Sequence, residues 1–141
     1  MATERIFLSN DEATAALGAR LARELEPGAL VLLSGGLGAG KTTLARALIR
    51  ALADDPGLEV PSPSFALVQP YEIGGRSLLH ADLYRIASPR EVDELGLFDR
   101  PDTIVLVEWP DRDPDLSARG SMTITLAIPA DGQGRVAEIS R

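Results

Sequence analysis

The chain has no cysteine and only one each of lysine, histidine, tryptophan and asparagine. Without thiols there are no disulfides and no thiolate metal sites. No apolar run approaches the roughly 18 residues that a membrane-spanning helix needs, so no membrane contact is expected. The start, Met1-Ala2-Thr3-Glu4-Arg5, lacks a basic segment leading into an apolar one. It is not read as a signal peptide, and a cytoplasmic location is expected. Positive charge is also short: 14 basic residues stand against 21 acidic ones, a net charge of −7. A direct, non-specific grip on nucleic acid needs Lys and Arg against the phosphates, and this balance opposes it. What is present reads as a single globular domain over residues 1–141, with 45% hydrophobic and 25% charged residues.

Thirteen of the 14 basic residues are arginine; Lys41 stands alone. Arginine-favouring codon usage accounts for the bias but not for the exception. An ammonium is a compact charge on a thin stem, whereas a guanidinium is a broad planar fork. Lys41 falls in Gly35-Gly36-Leu37-Gly38-Ala39-Gly40-Lys41-Thr42, which matches G-x-x-x-x-G-K-[ST]. In such a phosphate loop, glycines let backbone N–H groups approach phosphates without a Cβ in the way. The helix that follows turns its positive end toward them. Lys41 would reach the β- and γ-phosphates, and the Thr42 hydroxyl would bind Mg²⁺.

The surroundings suit that reading. Leu30–Leu33 is a continuous apolar run, as in a strand buried on both faces. Thr43–Leu52 has Leu44, Leu48 and Leu52 at helical spacing. Before them, Arg5–Leu8 reads as an edge strand, and Ser9 with Glu12 as a capping box opening a helix that carries Ala13, Leu17, Leu21 and Leu25. Pro61-Ser62-Pro63-Ser64-Phe65 is a shaped loop, because residues before proline avoid the helical region. Ala66–Glu72 and Ser77–Ala81 flank Gly74-Gly75 as a hairpin. Ser88-Pro89-Arg90-Glu91 opens a short helix as a second capping box. Thr103–Val107 is another buried-type strand, and Pro110–Ser117 an acidic loop. Met122–Ile128 and Arg135–Ile139 read as a closing hairpin. The fold class expected is α/β: a three-layer P-loop NTPase-like sandwich on a mixed, mainly parallel central sheet.

Such a loop needs an acidic partner at the end of a neighbouring buried strand. Glu108, after Ile104-Val105-Leu106-Val107, has that form; it would hold Mg²⁺ or polarise the attacking water. Asp82, after Leu78-Leu79-His80-Ala81, is a second candidate, with capping or a salt bridge as its structural alternative. His80 is a lone histidine in an apolar strand and is read as packed. Trp109 is either core or a partner contact. Ser62 and Ser64 either sense the γ-phosphate or only stabilise their turn. A guanine-reading Asn-Lys-x-Asp loop is impossible, since Asn10 and Lys41 are the only residues of their kinds. The nucleotide expected is therefore ATP, with Mg²⁺.

Four stretches in order, Leu37–Thr43, Ser62–Phe65, His80–Arg85 and Val107–Pro110, resemble the TsaE (YjeE) family, across about Thr14 to Pro110. The resemblance implies a bacterial ATPase of the threonylcarbamoyladenosine pathway for tRNA. It would work with the TsaB and TsaD proteins and meet tRNA only indirectly, through that complex. It also implies Thr42 and Glu108 as metal ligands, and Gly38, Ala39, Gly40, Lys41, Thr42 and Thr43 around the phosphates. Asp82 would lie near the γ-phosphate, Thr14 near the base, and Gly134-Arg135 close to the nucleotide. The catalytic set implied is Glu108, Asp82 and Lys41. The chain departs from the family at Gly36, where Asp is common, at Ser64-Phe65, where Thr-Tyr is usual, and at Ala81, where Phe is common. Without the resemblance, a small-molecule kinase on the same loop is the alternative, but the chain has little room for an acceptor site or an arginine-bearing lid.

Overall fold

The computed structural model describes residues 3–141. Met1 and Ala2, part of the segment read for signal features, lie outside the described residues. The elements follow in the order β1 (Thr3–Leu8), α1 (Asp11–Ala22), β2 (Leu30–Gly35), α2 (Lys41–Ala53), β3 (Val68–Ile73), β4 (Arg76–Asp82), α3 (Pro89–Glu94), β5 (Ile104–Glu108), β6 (Met122–Ala127) and β7 (Arg135–Ser140). They build one sheet ordered β1-β7-β6-β2-β5-β4-β3. The centre, β6-β2-β5-β4, is parallel. The outer pairings, β1 with β7, β7 with β6 and β3 with β4, are antiparallel. This is the mixed sheet with a parallel centre expected from the alternation of apolar runs and hairpins.

Alternation along the strands sorts side chains into two cores. Val31 and Leu33 of β2 pack with Leu17 and Leu21 of α1 and Leu44 and Leu48 of α2. Leu30 and Leu32 face the other way, against Leu83, Val92, Leu97 and Leu116. β2 is thus covered on both sides, which is why Leu30–Leu33 shows no polar alternation. Each such leucine, fully buried, contributes about 1.5–3 kcal/mol. Helices and turns above and below the sheet make the three layers.

α1 and α2 meet at Gly18. A Cβ there would stand 2.6 Å from the Ala47 Cβ and 3.0 Å from the Ala47 carbonyl carbon. Gly18→Ala is therefore expected to destabilise the fold by about 1–3 kcal/mol, although alanine is the better helix former. Chemical denaturation measures this; an unchanged or higher midpoint would contradict the packing.

Three local readings are corrected. The cap of α1 is Asn10, not Ser9: its extended backbone lets Oδ1 accept from Ala13 N at 2.9 Å. The residue three beyond the cap is then Ala13, so Glu12 closes no capping box, and Leu25 is buried beyond the helix end. At α3 the Ser88 side chain makes no cap bond, although Glu91 Oε2 accepts from Ala87 N at 3.0 Å. The acidic loop after β5 is wound into 3-10 turns over Pro110–Arg112 and Pro114–Ala118, the second capped by Asp113.

Candidate phosphate-binding site

The loop between β2 and α2 takes shapes that only glycine adopts readily. Gly35 has φ 144°, and a Cβ there would collide with the Leu126 carbonyl of β6. Gly40 is the N-cap of α2 at φ 102°. α2 begins at Lys41, two residues before the helix read from leucine spacing. Its cap makes no side-chain hydrogen bond and its first turn holds no acidic residue, unlike α1 with Asn10, Asp11 and Glu12. The first N–H groups of α2 are left for an anion.

Lys41 is buried. Its Nζ donates to the Gly35 and Gly36 carbonyls, both at 2.7 Å, and lies 4.1 Å from the centre of the Trp109 ring. Burial pushes its pKa below the ordinary lysine value, opposed by the negative charges of Glu108, Asp82 and Asp111. A bound triphosphate favours the charged ammonium and raises that pKa again. Nucleotide affinity is therefore expected to be full below the lowered value and to fall as pH rises through it. The intrinsic stability changes the other way, rising with pH between the lowered value and that of unfolded lysine. Calorimetry in buffers of different ionisation enthalpy should show proton uptake on binding in this alkaline window; proton release would contradict it.

The carboxylates come from the strand ends. Glu108 sits opposite Leu33 of β2 on one side and Asp82 of β4 on the other. Both acids are buried. Thr42 Oγ1 donates to Glu108 Oε1 at 2.8 Å. Asp82 Oδ2 accepts from Ser64 Oγ at 3.2 Å, while Oδ1 accepts from Tyr84 N at 2.9 Å. Asp82 thus shapes a turn and faces the loop at once. Ser62 and Ser64 share a 2.7 Å hydroxyl contact.

Two hollows flank the loop and share Gly38, Gly40 and Thr43 as a wall. One, about 300 Å³, is lined by Lys41, Thr42, Ser64, Asp82, Glu108 and Trp109. The other, about 290 Å³, is lined by Asn10, Thr14, Ala39, Gly134 and Arg135 among others. A larger concavity of about 490 Å³ runs between α1 and α2, but its lining includes neither Lys41 nor either carboxylate. Convergent polar groups favour the smaller pair. Every residue of the nucleotide, metal and catalytic sets expected from the sequence lies on one of these two hollows.

Thr42 and the two carboxylates form a hard oxygen donor set, which fits Mg²⁺. No cluster of three or more His, Asp or Glu that could hold a metal ion forms among the described residues. Mg²⁺ does not require one, because it takes one or two carboxylates together with phosphate and water.

Some roles are not written in the sequence. His80, expected to be merely packed, places Nε2 2.7 Å from Glu108 Oε2. A period-two count from Asp82 would have put it on the same sheet face. Trp109 packs against Tyr84 with ring centres 4.8 Å apart and ring planes tilted by 48°, and holds a left-handed φ of 58°, a strained conformation for so large a residue. Arg135 donates to the Gly38 carbonyl from Nε at 3.3 Å and Nη2 at 3.0 Å, tying β7 to the loop. Arg85 lies over the Phe65 ring.

Strand, glycine loop, helix and strand-end acids at the carboxyl edge of a parallel sheet define a domain of the P-loop NTPase fold. The crystal structure of Bacillus subtilis YdiB shares it, with TM-score 0.72 over 99% of this chain and 86% of that one, at 24% identity. The chain belongs to the TsaE family: the family model described as "Threonylcarbamoyl adenosine biosynthesis protein TsaE" matches residues 8–136. Curated relatives named "tRNA threonylcarbamoyladenosine biosynthesis protein TsaE" include one from Nostoc, 40% identical over 117 residues, 78% of this chain and 70% of the relative. The protein from Rickettsia felis is 39% identical over 105 residues, 74% of this chain and 61% of the relative. That from Haemophilus influenzae is 40% identical over 89 residues, 62% of this chain and 55% of the relative. The matches thus span only 55% to 61% of the length of the latter two relatives. No helix among the described residues is long and apolar enough to cross a membrane.

Proposed function

We propose that this chain binds ATP with Mg²⁺ at the phosphate loop, hydrolyses it slowly alone, and supports TsaB and TsaD in forming threonylcarbamoyladenosine on tRNA. The observation that carries the reading is the convergence of Lys41, Thr42, Glu108 and Asp82 on one hollow beside an uncapped helix N-terminus. The loop N–H groups and Lys41 hold phosphate charge. Thr42 and Glu108 would hold the metal, which when bound supplies charge neutralisation at the phosphates. Asp82, held by Ser64 and the Tyr84 N–H, orients water at the γ-phosphate end. Thr14 and Arg135, on the second hollow, stand on the nucleoside side.

Slow turnover alone is the ordinary state of such sites when a partner completes them. Leu37 and Tyr84 line the phosphate-side hollow and are exposed, and Phe65, next in the chain to Ser64, is exposed too, the kind of surface a partner covers. A net charge of −7 suits a protein that leaves tRNA contact to others. The absence of a guanine-reading loop supports adenine, and a cytoplasmic site of action follows from tRNA and ATP. Phosphate release from ATP and GTP tests the first step. Slow release to water with ATP preferred, and no phosphorylated acceptor, is expected; transfer to a small-molecule acceptor would instead make this a kinase.

A further inference from the structure

β4 runs Leu78, His80, Asp82 along one sheet face, and β5 runs Ile104, Leu106, Glu108 along the same face, beneath the first turn of α2. His80 is wholly buried there, with no exposed surface. Its Nε2 lies 2.7 Å from Glu108 Oε2, while Thr42 donates to Oε1. Its Nδ1 is buried and has no hydrogen-bond partner. A histidine retained only for packing has no need of this arrangement: an apolar residue of similar size would leave no orphan nitrogen. With Glu108 ionised, the contact requires Nε2 to carry the proton. A neutral ring then leaves only a lone pair unmatched at Nδ1, not a buried N–H.

We infer that His80 is a positioning residue for Glu108: by occupying Oε2 it fixes the carboxylate plane so that Oε1 stays on Thr42 and toward the metal. Both Glu108 oxygens are then committed, one to His80 and one to the Thr42 side. Glu108 serves as a held metal-side ligand, and water orientation falls to Asp82, whose partners Ser64 and Tyr84 leave it facing the same hollow. This rests on the reading of the site as one for Mg²⁺ and ATP. Shells of this kind orient the groups that touch a metal and typically change its affinity by 10- to 100-fold when removed.

The test compares ATP affinity with and without Mg²⁺, by equilibrium titration of the unaltered protein, His80→Leu and His80→Gln. Gln carries an amide N–H that can reach near the Nε2 position. Expected is an unchanged metal-free affinity in all three, to within about twofold, with the Mg²⁺-dependent gain cut roughly tenfold in His80→Leu and largely restored in His80→Gln. An equal gain in His80→Leu and the unaltered protein overturns the inference while leaving the ATP reading intact. No gain in the unaltered protein overturns both. Should His80→Leu fail to fold, the unaltered protein decides. His80 is the only histidine, so its imidazole nitrogens give a single set of ¹⁵N resonances. A ring protonated at Nε2, with a slowly exchanging proton, is expected; a ring protonated at Nδ1, or fast exchange, overturns the assignment.

Discussion

Lys41→Arg is expected to lose nucleotide binding nearly as fully as Lys41→Ala. The ammonium sits 2.7 Å from two loop carbonyls and 4.1 Å over the Trp109 ring, on a side chain that is buried. A guanidinium is too broad and planar for a slot closed by backbone on one side and an indole on the other. Charge alone is therefore not enough. Hydrogen bonds to charged groups contribute about 1.5–3 kcal/mol, so a roughly 10- to 150-fold loss of ATP affinity is expected for both variants. Equilibrium titration measures it, with the Trp109 fluorescence as a local reporter. Wild-type affinity in Lys41→Arg would show that the slot is wider than the contacts indicate, and that the single lysine in an arginine-rich chain reflects nothing about the site.

Glu108→Gln is expected to separate binding from turnover. The amide has one acceptor oxygen, but Thr42 and His80 both donate to the carboxylate. One of those donors must lose its partner or His80 must change tautomer, and a buried unmatched group costs about 1–3 kcal/mol. The thermal midpoint should therefore drop by several degrees, since 1 kcal/mol moves a domain of this size by roughly 3–5 °C. The loss of negative charge weakens the metal side of the site, and ATP turnover should fall by at least about 100-fold. Metal-free ATP binding should change by less than about threefold, because the loop N–H groups and Lys41 are untouched. Turnover within a factor of about three of the unaltered protein would remove Glu108 from the functional set.

The same residues show why parts of the molecule are legible in the amino-acid sequence alone. β2 and β5 are buried on both faces, so their apolar runs carry no alternation and stand out from the chain. The phosphate loop is a local shape, so its spacing is written in consecutive residues. Strand-end acids follow from the same logic, since the carboxyl edge of a parallel sheet gathers what each strand ends on. The role of His80 is hidden for the opposite reason. Its meaning depends on register, and register pairs Asp82 with Glu108 across 26 positions. A single sequence carries no mark of that pairing. Trp109 and Lys41 are also joined only in space, through a left-handed turn that no propensity for tryptophan foretells. The α1 cap falls one residue later than its sequence pattern indicates, because Ser9, Asn10 and Asp11 are all competent caps and only the entering backbone angle chooses among them.

On the proposed reading, ATP held at this loop would support modification carried out by TsaB and TsaD. The decisive assay is multi-turnover formation of threonylcarbamoyladenosine on tRNA by purified TsaB and TsaD. It is run with this chain, without it, and with the Lys41→Ala variant. Sustained product is expected only with the unaltered chain and ATP, together with an ATP-dependent association with the TsaB–TsaD pair. Equal product with and without the chain, or full support by Lys41→Ala, would contradict it.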